Sequence, residues 1–379
     1  PLIANFFERN ELIGITRILG LSIFIKAITL TEFTRLRKDL RFKKIALIQV
    51  ISSAASVITA YYLALKGFGY WAIVAQTLTI ALVNLTLVIT INKWTPHFYF
   101  SWKRYKVMRG FSNNMLISYF TNQLGQNMYS VFIGKFQPTA VLGYFNQATK
   151  LNDVSFQSVN SVILTTSYPI IAKEKDIRKR KEMYKSILNH FLFIHFTISM
   201  FIIGCSNNLV VFLFGKQWEP TGEILSLIVI SFLIYPLTTL NANIIKIENK
   251  SGLYRNLAFL RNGLLFFSLL LTYRFSIEIV LLGLIIARYI SVIIDTLLCG
   301  KYINFLPVEQ FYIAFKQFIS PLISCLITVY IIQYLNLIII WQSLLAFTFI
   351  FFLIFTILNV LTRNQSFFMF LNKVKSLIK

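Results

Sequence analysis

The sequence predicts an all-helical membrane protein that crosses the bilayer many times. About eleven stretches of the chain are apolar over 17 or more residues, roughly the length that a helix needs to cross a hydrocarbon core about 30 Å thick. Hydrophobic residues make up 56% of the 379 residues, and only 13% are charged, against about 25% in soluble domains. Helices suit this environment because each one satisfies its own backbone hydrogen bonds.

The predicted spans follow one another through short connections. Turn signals such as Lys66-Gly-Phe-Gly69 and Lys135-Phe-Gln-Pro138 separate them, and no long polar segment interrupts the series. The connections are therefore not predicted to form domains of their own. The spans lie near residues 11–30, 45–65, 70–91, 110–134, 139–166, 188–206, 221–244, 257–273, 277–298, 318–335 and 338–361.

Basic residues fall mainly in alternate gaps between the spans. Of the 37 Lys and Arg residues, 27 lie in one alternate set of gaps and 5 in the other. Cytoplasmic loops of membrane proteins carry such an excess of positive charge, so the first set is predicted to be cytoplasmic. The same rule accounts for the net charge of +23, and a nucleic-acid partner is not predicted. The richest cytoplasmic gaps are predicted around residues 36–44, 94–109 and 173–186.

Cysteine and histidine are too few and too scattered to indicate a metal site or a cofactor. Cys205, Cys299 and Cys325 lie far apart in or beside apolar segments, with no metal-binding or disulfide spacing. The three histidines are also scattered, and no Ser/His/Asp set, HExxH motif or Gly-rich phosphate loop is present. The sequence predicts no metal, no cofactor and no enzyme.

Polar side chains form a stripe along the span 139–166. Asn146, Lys150, Asp153, Gln157 and Ser161 recur at steps of four, three, four and four residues, which places them on one helix face. Such a face either lines a water-filled cavity or bonds to neighbouring helices. A similar face in the span 110–134 includes Asn122 and Gln126.

Five basic residues lie inside predicted spans. Lys150 and Arg288 are near the centres of theirs, where a charge is costly unless it is used or paired. Each has a possible carboxylate partner on its own helix face: Asp153 for Lys150 and Asp295 for Arg288. Two interpretations of these central charges remain open. Each cation belongs to a buried ion pair, or it lines a cationic cavity that binds an anionic group. Arg17 is nearer the outer end of its span, where it either snorkels to the interface or joins this cavity.

Tyr235-Pro236 lies inside the span 221–244. Proline cannot donate the backbone hydrogen bond of a helix, so this dipeptide predicts a kink or break. In transporters, broken helices line substrate paths or act as hinges, although a packing kink would have the same sequence signature.

Several short motifs, taken in order, resemble those of the Wzx-type polysaccharide flippases. These proteins form part of the polysaccharide transporter branch of the multidrug/oligosaccharidyl-lipid/polysaccharide (MOP) superfamily. The similarity runs from about residue 1 to residue 300. The matching segments are Arg37-Lys-Asp-Leu-Arg-Phe-Lys-Lys44, Gly67-Phe-Gly-Tyr-Trp-Ala72 with Gln76, Gly143-Tyr-Phe-Asn-Gln-Ala148, Tyr168-Pro169 and Phe214-Gly-Lys-Gln-Trp218.

The resemblance implies a MOP/MATE-like, two-lobed bundle of fourteen transmembrane helices, of which about eleven would be present here. Residues 1–92 would complete the first lobe, and residues 93–109 would connect it to the second lobe at residues 110–300. Residues 301–379 would add two peripheral helices and a basic cytoplasmic tail. Three helices are then expected before residue 1.

The resemblance also implies an activity and a place in the cell. The chain would move an undecaprenyl-pyrophosphate-linked oligosaccharide across the bacterial inner membrane by alternating access, for surface polysaccharide export such as that of O-antigen. Its partners would be that lipid, membrane lipids and other polysaccharide assembly proteins. The alternatives are a cation-coupled multidrug or small-molecule exporter of the same superfamily and a membrane glycan-assembly enzyme.

Overall fold

The computed structural model describes residues 2–39, 41–92, 95, 101–174, 176–248, 250–335 and 339–378, and every regular element in these ranges is helical. The predicted all-helical fold class is therefore confirmed. The helices are α1 (Leu2–Phe7), α2 (Leu12–Lys38), α3 (Phe42–Leu65), α4 (Tyr70–Asn92), α5 (Trp102–Phe136), α6 (Thr139–Lys173), α7 (Ile177–Phe214), α8 (Pro220–Phe232), α9 (Tyr235–Ile247), α10 (Ser251–Thr272), α11 (Ile277–Cys299), α12 (Pro307–Leu335), α13 (Ile340–Leu361) and α14 (Gln365–Ile378), with short 3₁₀ turns at Lys216–Trp218 and Gly300–Tyr302.

Each of the eleven predicted spans coincides with a helix or, at 221–244, with the pair α8 and α9. Within the described residues, eight segments are long and apolar enough to cross a membrane. The other three predicted spans lie in α5, α6 and α10, which have 35, 35 and 22 residues. These lengths also suffice for a crossing.

The span 221–244 is interrupted as its proline predicts. Helix α8 ends at Phe232, Leu233 and Ile234 connect, and α9 begins at Tyr235 with Pro236 in its first turn. Proline fits there because the first turn of a helix does not need its N–H. The interruption therefore lies just before the proline.

Residues 1–114 form one compact unit. In it α4 packs against both α2 and α3. Leu36, Ile45, Ile48 and Val88 form a small buried core at one end of these helices. Ser52 reinforces the packing of α3 on α4, because its hydroxyl lies 2.8 Å from Oδ1 of Asn84.

Residues 115–379 form the second unit, and α7 is its central helix. Helix α7 packs against α6, α8, α12 and α13, while α11 packs against α8, α9 and α10. Two large apolar clusters fill these interfaces and bury aromatic side chains including Tyr184, Phe191, Phe196 and Phe347. The interrupted α8–α9 segment therefore lies between α7 and α11.

The last two predicted spans, α12 and α13, pack against α7 and against each other through polar as well as apolar contacts. Asn208 on α7 donates to Ser343 on α13 over 2.9 Å, and Asn359 on α13 donates to Ser320 on α12 over 2.8 Å. Packed transmembrane helices commonly use such amide and hydroxyl bonds. The outward faces carry exposed apolar side chains such as Phe349, as expected for contact with lipid.

Helix α7 begins at Ile177, eleven residues before the span 188–206 that hydropathy predicts. Asp176 caps it by accepting a hydrogen bond from the N–H of Arg178 over 2.8 Å. Arg180 pairs with Glu248 at the end of α9, and Lys181 pairs with Glu309 on α12 at 2.8 Å. Ion pairs thus help to fix this end of the helix, together with the burial of Tyr184.

Candidate functional site

Arg288, near the middle of α11, reaches the interrupted segment between α8 and α9. Its Nη1 donates a hydrogen bond to Oγ of Ser231, and its Cζ lies 3.8 Å from the centroid of the Phe232 ring. A guanidinium over an aromatic face is a favourable cation–π contact. Both partners are uncharged, so they hold the guanidinium in place without neutralising it.

The end of α8 that contacts Arg288 is itself fixed by neighbouring helices. Tyr289 on α11 donates from its hydroxyl to the carbonyl of Ile230 over 3.1 Å. Nε2 of His195, on α7, lies 2.9 Å from the carbonyl of Phe232. Ser231 donates its own hydroxyl proton to the carbonyl of Ile228 over 2.6 Å, which leaves its oxygen to accept from Arg288.

The electrostatic surroundings of Arg288 include one carboxylate and two phenols. Asp153 on α6, Tyr129 on α5 and Tyr235 at the start of α9 all interact electrostatically with it. Among the described residues, however, no carboxylate lies within 4.0 Å of the guanidinium. Tyr129 is held by a 2.7 Å hydrogen bond to Ser268 on α10.

Asp295 does not pair with Arg288, although the two residues are seven apart on α11. Nη1 of Arg261, on α10, lies 3.1 Å from Oδ2 of Asp295, and the Asp295 side chain is only 2% exposed. The ion pair with Arg288, one of the two interpretations that the sequence left open, therefore does not form, because a neighbouring helix supplies the cation for Asp295. The central charge of Arg288 stays without a directly bonded counter-ion in the described part of the chain.

The polar stripe of α6 is partly buried and partly open. Asn146 accepts a hydrogen bond from the hydroxyl of Ser130 on α5 over 3.1 Å, as expected for helix-to-helix bonding. Lys150 is exposed, Asp153 is partly buried, and no salt bridge joins the two. Asn146 therefore bonds to a neighbouring helix, whereas Lys150, one turn further along α6, is exposed.

The structure gives less information about the other predicted site residues. The side chains of Asn122, Gln126 and Gln157 lie outside the described residues, although the helices α5 and α6 that carry them are described. Arg17 is exposed on α2, in the first unit. In the ranges that the structure describes, no group of His, Cys, Asp and Glu side chains could hold a metal ion.

Sequence reasoning missed the residues that support Arg288. Ser231, Phe232 and His195 lie in apolar segments and form no motif with one another. A signal was nevertheless present: His195 is in the middle of an apolar span, and Pro236 marks a neighbouring span that must leave a carbonyl unpaired. Only the packing of α7 against α8 brings the two signals together.

Comparisons with known proteins agree with this fold. The structure is similar to the lipid II flippase MurJ in an inward closed conformation, with a TM-score of 0.69, over 91% of this chain and 74% of that one. The sequence identity is 15%, so the similarity concerns the fold alone. It confirms the predicted MOP-type architecture.

Three curated relatives are similar in sequence. They are the teichuronic acid biosynthesis protein TuaB of Bacillus subtilis (26% identity, 67% of this chain and 53% of TuaB), the succinoglycan biosynthesis transport protein ExoT of Rhizobium meliloti (24%, 60% and 47%) and the lipopolysaccharide biosynthesis protein WzxC of Escherichia coli (21%, 51% and 40%). The chain thus spans about half the length of the curated relatives that it matches.

A family model described as "Polysaccharide biosynthesis protein" matches residues 1–223. This region covers more than half of the chain, from α1 to the start of α8. It includes the polar stripe of α6 and His195, and the Arg288 helix follows it. The chain therefore belongs to this family of polysaccharide biosynthesis proteins, which sequence reasoning had indicated.

Proposed function

We propose that the protein is a flippase that moves an undecaprenyl-pyrophosphate-linked oligosaccharide from the inner to the outer leaflet of a bacterial inner membrane. The family, the transport function in the name of ExoT and the fold of a lipid II flippase support this proposal. The translocated lipid would serve the export of a surface polysaccharide. Membrane lipids surround the protein, and other polysaccharide assembly proteins are its proposed protein partners.

The observation that carries the proposal is the charge of Arg288. A pyrophosphate is a compact anion with several acceptor oxygens, and a guanidinium binds such groups through paired N–H donors. Arg288 is held by a hydroxyl and an aromatic ring, so its charge is available for an anion. In surroundings of reduced dielectric, this attraction is stronger than in water.

The remaining proposed substrate-binding residues extend this site. Exposed Lys150 would contact the pyrophosphate, and the carboxylate of partly buried Asp153 would accept hydrogen bonds from hydroxyls of the first sugars. The amide side chains would hydrogen-bond sugar hydroxyls, which both donate and accept. These amide residues are Asn146, Gln157, Asn122 and Gln126. Arg17, in the first unit, is a separate proposed substrate-binding residue.

Alternating access would follow from movement of two lobes about the substrate. We propose lobes at residues 1–92 and 110–300, a cytoplasmic connection at 93–109, and peripheral helices and a tail at 301–379. The α8–α9 interruption supports this mechanism, because a broken helix can change its bend without breaking continuous backbone bonds. Substrate anions would bind while the lobes are open toward the cytoplasm.

The carboxylates argue against the alternative of a cation-coupled multidrug exporter. A site for cationic compounds requires unpaired acids, but Arg261 already neutralises Asp295. Among the described residues the other fully buried acid is Glu32 on α2, which pairs with Arg35 at 3.5 Å. Asp153 remains, close to a surplus of positive charge. An enzyme is less supported still, because transport rather than catalysis is in the names of the relative ExoT and the flippase MurJ.

The direct test is an inventory of lipid-linked oligosaccharides by mass spectrometry. Cells that lack the protein should accumulate one undecaprenyl-pyrophosphate-linked oligosaccharide and lose the matching surface polysaccharide, and the native gene should reverse both changes. A normal lipid pool, together with greater sensitivity to cationic compounds, would instead favour the exporter. Loss of the lipid-linked oligosaccharide itself would favour an assembly enzyme.

A further inference from the structure

The proline that follows the interruption between α8 and α9 deprives the backbone carbonyl of Phe232 of its usual partner. In a continuous helix the carbonyl of Phe232 would accept from the N–H of residue 236. Residue 236 is a proline, which has no N–H. An unpaired backbone acceptor is strongly unfavourable within a membrane, where no bulk water can replace the missing donor.

His195 supplies the replacement donor from α7. Its Nε2 lies 2.9 Å from the Phe232 carbonyl oxygen, and the residue is only 1% exposed. A carbonyl can only accept, so Nε2 carries the hydrogen. The ring is held by Phe156 on α6, with the two centroids 4.6 Å apart. The imidazole therefore takes the place of the N–H that Pro236 lacks.

This hydrogen bond lies beside the site of Arg288. The carbonyl belongs to Phe232, whose ring stacks on the guanidinium, and the preceding residue, Ser231, accepts a hydrogen bond from it. A guanidinium has five N–H donors. Without His195, the Phe232 carbonyl would compete for these donors, because Arg288 is the charged donor already at that turn.

We propose that His195 is a positioning residue: by pairing with the Phe232 carbonyl, it keeps the N–H groups of Arg288 available for the anionic group of the substrate. This inference rests on the proposed function, in which Arg288 binds the pyrophosphate. His195 acts through the end of α8 and does not itself contact the substrate. Because His195 pairs with the carbonyl that Pro236 leaves without a donor, the helix break and an anion-binding Arg288 can lie side by side.

The test compares two substitutions that differ in one hydrogen-bond donor. His195→Phe keeps an aromatic ring against Phe156 and removes the donor, whereas His195→Gln keeps an N–H near the position of Nε2. His190→Phe is the matched control, because Nδ1 of His190 lies 2.6 Å from the carbonyl of Ser186 in the same helix. The probe is undecaprenyl pyrophosphate. The affinity for this probe is measured for the parent and each variant, as purified, monodisperse full-length protein.

Parent protein should bind the probe, and His195→Phe should bind about fivefold to tenfold more weakly, the factor that loss of one hydrogen bond typically causes. His195→Gln and His190→Phe should stay close to the parent. Equal binding by His195→Phe and the parent would overturn the inference but leave the proposed function intact. Equal weakening by His195→Gln and His195→Phe would also overturn it. Failure of the parent to bind the probe would remove the substrate assignment, and the inference with it.

Discussion

Arg261 on α10 donates to Asp295 on α11 across 3.1 Å, and this pair neutralises the carboxylate that the sequence offered as a candidate partner of Arg288. This ion pair shows that the two arginines have different surroundings, a difference that the residue type alone does not reveal. Arg261 is bonded to a buried acid, whereas Arg288 contacts a hydroxyl and a ring. The first is expected to serve stability and the second to serve binding.

Loss of Arg261 should therefore lower the stability of the folded protein. Arg261→Ala would leave Asp295 as a buried unpaired charge, which typically costs about 3–5 kcal/mol. We expect a markedly lower Tm in detergent. The double variant Arg261→Met/Asp295→Leu should regain most of the loss, because it removes both charges. If Arg288→Ala lowers the Tm as much as Arg261→Ala, the two arginines do not differ as described.

Lys150 should contribute to export without contributing to folding. It is exposed and forms no salt bridge with Asp153, so Lys150→Ala should reduce export while the amount of protein in the membrane stays normal. Lys26→Ala, which removes an exposed lysine from α2, is the control and should have a milder effect.

A second variant separates substrate binding from charge balance at Lys150. In Lys150→Ala/Asp153→Asn the acid is removed together with the lysine. Export measured by surface polysaccharide should remain low if Lys150 binds the anionic lipid. Restored export would show that Lys150 only balances Asp153, and would remove it from the proposed site.

The hydrogen bond of His195 to the Phe232 carbonyl should depend on the proline. His195→Phe removes the neutral donor of this buried carbonyl, which typically costs about 1–3 kcal/mol and less where Arg288 turns toward the carbonyl, so its Tm should fall. In a Pro236→Ala background residue 236 regains an N–H that can pair with Phe232, and the same substitution should cost less. An equal fall in Tm in both backgrounds would contradict this account of the break.

The predicted topology can be tested by cysteine labelling of intact cells. Cys205, Cys299 and Cys325 are buried and free, and they can be replaced before single cysteines are introduced. An impermeant reagent should label positions in the external loops around 66–69, 135–138 and 215–220. It should not label position 178, and labelling there would reverse the predicted orientation.

The architecture was largely predictable because it depends on local properties of the chain. Apolar length located the helices, and Pro236 located the break to within three residues. The start of α7 was missed because its first turns are basic and lie outside the apolar span. Hydropathy detects the membrane-embedded part of a helix but not an extension that ion pairs stabilise.

The site was less predictable because it depends on contacts between helices. Arg261 and Asp295 are 34 residues apart, and His195 and Phe232 are 37 apart. One sequence does not give the rotation and register that bring such pairs together. Depth in the membrane indicated Arg288 as a candidate, but did not identify the neighbours that hold it.

The most direct test of the central claim is the rate of lipid flipping by the reconstituted protein. The assay follows an undecaprenyl-pyrophosphate-linked oligosaccharide across proteoliposome membranes, with Arg288→Ala compared with the parent and with Arg274→Ala. Arg274 is a suitable control because it lies at the predicted external turn between α10 and α11 and stacks on Tyr273. We predict that Arg288→Ala lowers the flipping rate by about tenfold or more, because a hydrogen bond to a charged group is worth about 1.5–3 kcal/mol. Arg274→Ala should leave the flipping rate unchanged. Flipping by Arg288→Ala at the parental rate would contradict the assignment of Arg288 to the substrate path.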